Sequence, residues 1–132
     1  MTSPFRHRVR VQYIDTDQGG VVHHAAYLRF LEQARVELLR ARGIDYRAFE
    51  REERTAIPVA EARVRYRRPC FFDDVLEVET CVGLINRAKL RFDYRVWREQ
   101  DEVLTAEITC ACVNLDRMRI CSVHPRFREV FG

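Results

Sequence analysis

Residues 13–35 gather the side chains of this chain best suited to chemistry: Asp15 and Asp17, the double glycine Gly19-Gly20, the histidine pair His23-His24, and Tyr27, followed by Glu32-Gln33-Ala34-Arg35. A carboxylate in a tight turn facing the amide-rich start of a helix can serve as base or nucleophile, while the helix end stabilises a developing anion. Other readings fit the same residues. Either carboxylate can cap a helix or close a turn, and the Asp-x-Asp pattern taken alone favours that role over catalysis. Two carboxylates beside two imidazoles are also the donors that zinc and iron take. Against a metal, neighbouring histidines project differently from the backbone, and no third imidazole lies close in sequence.

A turn of this kind needs a strand before it and a helix after it, and the hydrophobic periods predict both. Phe5, His7, Val9, Val11 and Tyr13 alternate with Arg6, Arg8, Arg10 and Gln12, a strand with one wet face. From about Ala25 to Arg42 the positions Tyr27, Leu28, Leu31, Ala34, Leu38 and Leu39 follow helical spacing, and Gly43 supplies the stop. Residues 44–54 read as a short second helix anchored by Tyr46 and Phe49. Alternation then returns in Ala60, Ala62, Val64 and Tyr66, closed by Pro69, and again in Leu76, Val78, Val82 and Leu84. The next strand, carrying Leu90, Phe92, Tyr94 and Val96, follows a turn around Ile85-Asn86-Arg87, so the two pair antiparallel. Val103 to Leu115 is apolar or small on both faces, which places it centrally in the sheet. One long helix and some five antiparallel strands make an α+β domain whose sheet buries one face on the helix. Its open edges and partly covered helix call for a second copy of the chain, so a homodimer or tetramer is expected.

Composition narrows the function classes. At 132 residues the chain is the size of one domain, spanning 1–132, with 47% hydrophobic and 33% charged content. No apolar run is long enough for membrane insertion. Residues 1–6 lack the apolar segment of a secretory signal, and a cytoplasmic location follows as the expectation. The net charge is +3 with Lys89 as the sole lysine, and the bases are interleaved with acids rather than blocked, which argues against nucleic acid. Five cysteines without metal-knuckle spacing read as reduced thiols, with Cys110 and Cys112 as small core residues.

Taken together, Asp15-Thr16-Asp17, Gly20-Val21-Val22, His24, Tyr27 and Glu32-Gln33-Ala34-Arg35 resemble the signature of the hotdog-fold acyl-CoA thioesterases. The match is to the 4-hydroxybenzoyl-CoA thioesterase family and, within it, to the branch associated with the Tol-Pal system. A weaker match continues through Phe72-Asp73-Asp74-Val75-Leu76. The resemblance implies a hotdog fold, an antiparallel five-stranded sheet wrapped round one long central helix, and hydrolysis of an acyl-CoA thioester. It makes Asp17 the catalytic carboxylate, as nucleophile or as general base for water, and leaves Asp15 structural. The backbone N–H of His24 becomes the oxyanion donor, and the His24 side chain a helper that protonates the thiolate or positions water. Gly20, Val22, His23 and Tyr27 are expected to line the pocket, His23 standing where the family usually has an aromatic residue.

Coenzyme A is then part of the substrate, and no cofactor or metal is implied. Arg87 and Lys89 match a hairpin position from which related enzymes contact the nucleotide. Acyl carrier protein is a further partner class, and Glu32 with Arg35 is expected to form an ion pair. Two competing readings share the fold: a dehydratase or acyl-carrier-protein thioesterase, and a non-catalytic acyl-CoA-binding protein.

Overall fold

The computed structural model describes residues 3–132. Strand β1 (Phe5–Arg10) alternates as expected but stops short of Tyr13. There the chain tightens into a single 3-10 turn, Tyr13–Asp15, because the Asp15 carboxylate folds back to accept the Gln12 N–H at 2.8 Å. Tyr13 is therefore exposed and its ring leans on Phe72, with centroids 5.4 Å apart.

Helix α1 (His24–Ala41) follows, and Gly43 ends it with φ of +87°, a conformation that glycine adopts without steric cost. The Ile44 N–H closes the end on the Leu39 carbonyl at 2.8 Å. The buried stripe of α1 is Ala26, Tyr27, Phe30, Leu31, Ala34, Leu38 and Leu39, at the spacing of one helix face. Leu28, expected on that stripe, faces outward. Helix α2 (Tyr46–Glu53) is capped by the Asp45 carboxylate, which accepts the Ala48 N–H at 3.1 Å. The Tyr46 hydroxyl ties it to the chain beyond by accepting the Ile57 N–H at 2.9 Å.

After the short β2 (Thr55–Ala56) come the long strands β3 (Val59–Tyr66), β4 (Val75–Ile85), β5 (Lys89–Arg98) and β6 (Asp101–Ala111). With β1 they form one antiparallel sheet in the order β1-β4-β5-β6-β3. Leu76, Val78 and Val82 of β4, Leu90, Phe92, Tyr94 and Val96 of β5, and Leu104, Ala106, Ile108 and Cys110 of β6 are buried in one core with the α1 stripe. This is the sheet-round-helix arrangement implied by the resemblance. β6 lies inside the sheet, although β5 is its middle strand.

The strand expected to run to Leu115 breaks after Ala111. Val113–Asn114 forms β7, which pairs with β2 and β8 (Arg119–Ile120) in a second, three-stranded sheet. Helix α3 (Pro125–Phe131) packs Phe127 against Phe49, ring centroids 4.9 Å apart. The expected Glu32–Arg35 pair does not form among the described residues: Arg35 reaches inward and donates to the Tyr94 hydroxyl at 3.2 Å. That hydroxyl donates in turn to the Leu31 carbonyl at 3.2 Å, so a buried phenol is satisfied on both sides.

Candidate active site

The chain leaves the 3-10 turn at Thr16, which bridges to Val22, and residues 17–21 close a hairpin-like loop between them. Asp17 organises this loop through its backbone and through one carboxylate oxygen. Its N–H donates to Val21 C=O at 2.9 Å, and its C=O accepts the Gly20 N–H at 3.0 Å. Its Oδ1 accepts the Gly19 and Val21 N–H groups at 2.8 and 3.3 Å. Gly20 sits at φ +83°, the left-handed conformation this turn requires. The other oxygen, Oδ2, has no hydrogen-bond partner among the described residues, and the side chain is exposed. Asp17 thus presents a carboxylate fixed at one oxygen and open at the other.

Asp15 is the opposite case. Only 1% of it is exposed, its Oδ2 accepts the Gln12 N–H, and its Oδ1 is held by the Arg29 guanidinium of α1. Its backbone carbonyl accepts the His23 N–H at 3.0 Å. Asp15 welds the turn to the helix and has no oxygen left for chemistry.

His23 is the N-cap of α1. Its ring Nδ1 accepts the Ala26 N–H at 3.1 Å, which satisfies one of the four amides that a helix start leaves without partners. The pocket-lining role expected of it is not where the structure puts it, since the imidazole is taken up by the cap and lies outside the groove lining. His24 opens the helix. Its backbone N–H has no acceptor among the described residues, and its ring stacks on Tyr66 of β3 with centroids 4.1 Å apart and planes 17° apart. The Tyr66 hydroxyl donates to the His24 carbonyl at 3.3 Å, so the edge strand grips the helix start from the side.

A groove of about 260 Å³ opens at this junction, lined by Val21, Val22, His24, Tyr27, Tyr66 and the 67–69 segment. Of the expected lining, Val22 and Tyr27 are there, joined by His24, whereas Gly20 stays in the turn of the Asp17 loop and is not among the lining residues. Tyr27 forms the floor. Burial pushes its phenol pKa far up, and it hydrogen-bonds the equally buried Cys70 thiol. Tyr66, Arg67 and Arg68 were not expected at the site. The available signal was a large aromatic at the end of a strand, three residues before the terminating Pro69. Arg67 is tied to Glu102 at 3.1 Å, and Arg68 stands 3.9 Å from Asp101.

Arg87 and Lys89 are not brought to this groove. They occupy the β4–β5 hairpin, whereas the loop sits at the other end of β4, where Val75 pairs with Arg10. The ten residue steps of β4 separate them by roughly 30 Å along the strand. The Arg87 carbonyl instead accepts the Val123 N–H at 2.8 Å, fixing the C-terminal segment. The cysteines are all unpaired. Burial holds the Cys110 thiol up and pushes Cys112 to about 11, leaving both protonated near neutrality as core residues. Among the described residues, no group of three or more His, Cys, Asp or Glu side chains is placed to hold a metal ion, and no helix is long and apolar enough to cross a membrane.

Comparison with known proteins places this geometry in a family. Residues 10–131 match the model of the thioesterase-like superfamily. The acyl-CoA thioester hydrolase YbgC of Escherichia coli is 39% identical over 119 residues, covering 89% of this chain and 88% of its own. A hypothetical protein of Aquifex aeolicus superposes with a TM-score of 0.90 at 34% identity, covering 97% of this chain and 99% of its own. A 4-hydroxybenzoyl-CoA thioesterase shares the fold at 21% identity and a TM-score of 0.88 over 98% of this chain and 99% of its own. With its five-stranded antiparallel sheet closed around α1 and a match running nearly end to end, the chain belongs to the thioesterase-like superfamily of hotdog-fold proteins.

Proposed function

We propose that the groove at the start of α1 hydrolyses an acyl-CoA thioester, with Asp17 as the catalytic carboxylate and the His24 backbone N–H as the oxyanion donor. The observation that carries this reading is the state of Asp17. Two backbone N–H groups hold its Oδ1 while Oδ2 stays open, on a loop that leads directly into unpaired helix-start amides. The YbgC relative supports the activity, and the chain is an acyl-CoA thioester hydrolase.

Two routes share this geometry. In one, Oδ2 attacks the thioester carbonyl; the C–S bond breaks, coenzyme A leaves as thiolate, and water then cleaves the acyl–Asp17 anhydride to acid and carboxylate. In the other, Asp17 takes a proton from water as that water attacks, and the same proton is available to the departing sulfur. Negative charge gathers on the carbonyl oxygen in both, where an unpaired N–H at a helix N-terminus is most effective. A thiolate is a good leaving group near neutral pH, which limits the help the site must supply. To the His24 ring, stacked on Tyr66 beside the groove, falls the orienting of water or the leaving group in this reading.

The site is completed by a second copy of the chain. β3 is an edge strand with Val59 and Tyr66 exposed, and beside it a groove of about 290 Å³ between α1, α2 and the β2–β3 link is lined by Val36, Leu39, Ile57 and Val59, with Glu32 and Arg35 also lining it. An unpaired edge flanked by apolar side chains is covered most simply by its own counterpart. Arg87 and Lys89 could then serve coenzyme A phosphates only in the partner's groove. Within the superfamily, the Asp15-Thr16-Asp17 and His24 motif residues support assignment to the Tol-Pal-associated branch, and five unpaired cysteines suit a single-domain cytoplasmic enzyme.

Steady-state hydrolysis of short aliphatic, long aliphatic and aromatic acyl-CoAs, beside acyl groups on a carrier protein, tests the reading. Turnover of at least one acyl-CoA, faster than that of any carrier-protein thioester, is expected. Tight binding of acyl-CoA without turnover would overturn it in favour of a binding protein.

A further inference from the structure

We infer that His23 is a positioning residue for hydrolysis: its imidazole caps the first turn of α1, while its backbone N–H ties that turn to Asp15, and the cap sets where the His24 N–H points. The inference rests on the reading of that N–H as the oxyanion donor.

His23 is tied down at its backbone and its ring. Its N–H donates to the Asp15 carbonyl at 3.0 Å, and the Ala26 N–H is shared between its own carbonyl at 3.0 Å and its ring Nδ1 at 3.1 Å. Asp15 is bonded in turn to Arg29, one turn further along the same helix. The connections therefore run from Arg29 through Asp15 and His23 to Ala26, and His24 with its free N–H lies between the last two in sequence. Removing the ring acceptor would leave Ala26 a single bond and let the first turn fray, moving the N–H of His24 relative to the Asp17 carboxylate.

An N-cap is ordinarily a short Ser, Thr, Asp or Asn, and an apolar aromatic ring at this position would fill space without accepting a hydrogen bond. The imidazole does both. Because Nδ1 accepts, the ring proton must sit on Nε2 and the ring must be neutral. This specifies one tautomer and makes the arrangement observable without any substrate.

The test compares wild type with His23→Asn, His23→Ala and His23→Phe on an acyl-CoA that the wild type turns over, with nitrogen NMR of the wild-type histidine rings alongside. Asn restores a cap acceptor, so its kcat should stay within about threefold of wild type. Ala and Phe should lower kcat by roughly ten- to a hundredfold with KM within about twofold, the pattern of a misplaced transition-state donor. The wild-type ring should show an unprotonated Nδ1 and a protonated Nε2. Full kcat in His23→Phe, a loss in Asn equal to that in Ala, or a proton on Nδ1 would overturn the inference. Absence of any wild-type hydrolysis would instead overturn the proposed activity, and the NMR arm would still decide whether the ring caps the helix.

Discussion

Asp15 and Asp17 are the same side chain two residues apart, and their surroundings separate their roles. Asp15 is buried with both oxygens engaged, one by a backbone amide and one by Arg29, whereas Asp17 keeps one oxygen open. Replacing Asp15 by Ala should therefore cost stability, about 3 kcal/mol, because the Gln12 amide and the Arg29 guanidinium lose their partner. Urea unfolding measures it, and a change below about 1 kcal/mol would contradict the buried role. The route through Asp17 is separable in the same spirit. Single turnover in heavy-oxygen water places label in the Asp17 carboxylate if an anhydride forms and water opens it at the Asp17 carboxyl carbon, and only in the product acid if water attacks the thioester directly. At this scale the motif made the gathering of Asp17, Val22, His24 and Tyr27 at the start of α1 legible, since type and spacing carry that information. The duties of His23 and Tyr66 were not legible. A cap depends on which ring nitrogen meets which amide, and a stacking partner 42 residues away is a matter of tertiary packing.

Periodicity identified the elements and misjudged their ends. Alternation in β1 runs on to Tyr13, but the Asp15–Gln12 bond stops the strand at Arg10 because a local carboxylate outcompetes the ladder for that amide. The long final strand divides at Cys112, where the chain changes sheets, and no change of period marks the place. Helix α1 was clear because seven of its side chains fall on one buried stripe. The stripe meets the sheet at Phe92, which is wholly buried in the middle strand. Phe92→Ala should destabilise the fold by about 3–5 kcal/mol through lost burial and the cavity it leaves. A fall of less than about 1 kcal/mol in denaturant unfolding would show that the core is not built around this strand.

For the molecule as a whole, the α+β class followed from one long helical period among alternating strands and the sheet-round-helix architecture from the family resemblance, while the exposed surfaces did not follow, because exposure is set by the assembled fold. In the proposed dimer, the exposed β3 edge and the groove beside it are the surfaces a second copy would cover. Val59→Glu should shift the mass measured by light scattering toward a monomer and reduce turnover with it; a monomeric wild type with full activity would contradict a shared site. The most direct measurement is kcat for a good acyl-CoA substrate with Asp17→Asn, in protein whose unfolding midpoint matches wild type. Because Asn keeps the Oδ1 acceptor but can neither attack nor take a proton, kcat should fall at least about a hundredfold. A variant that turns over within a few fold of wild type would place the chemistry elsewhere.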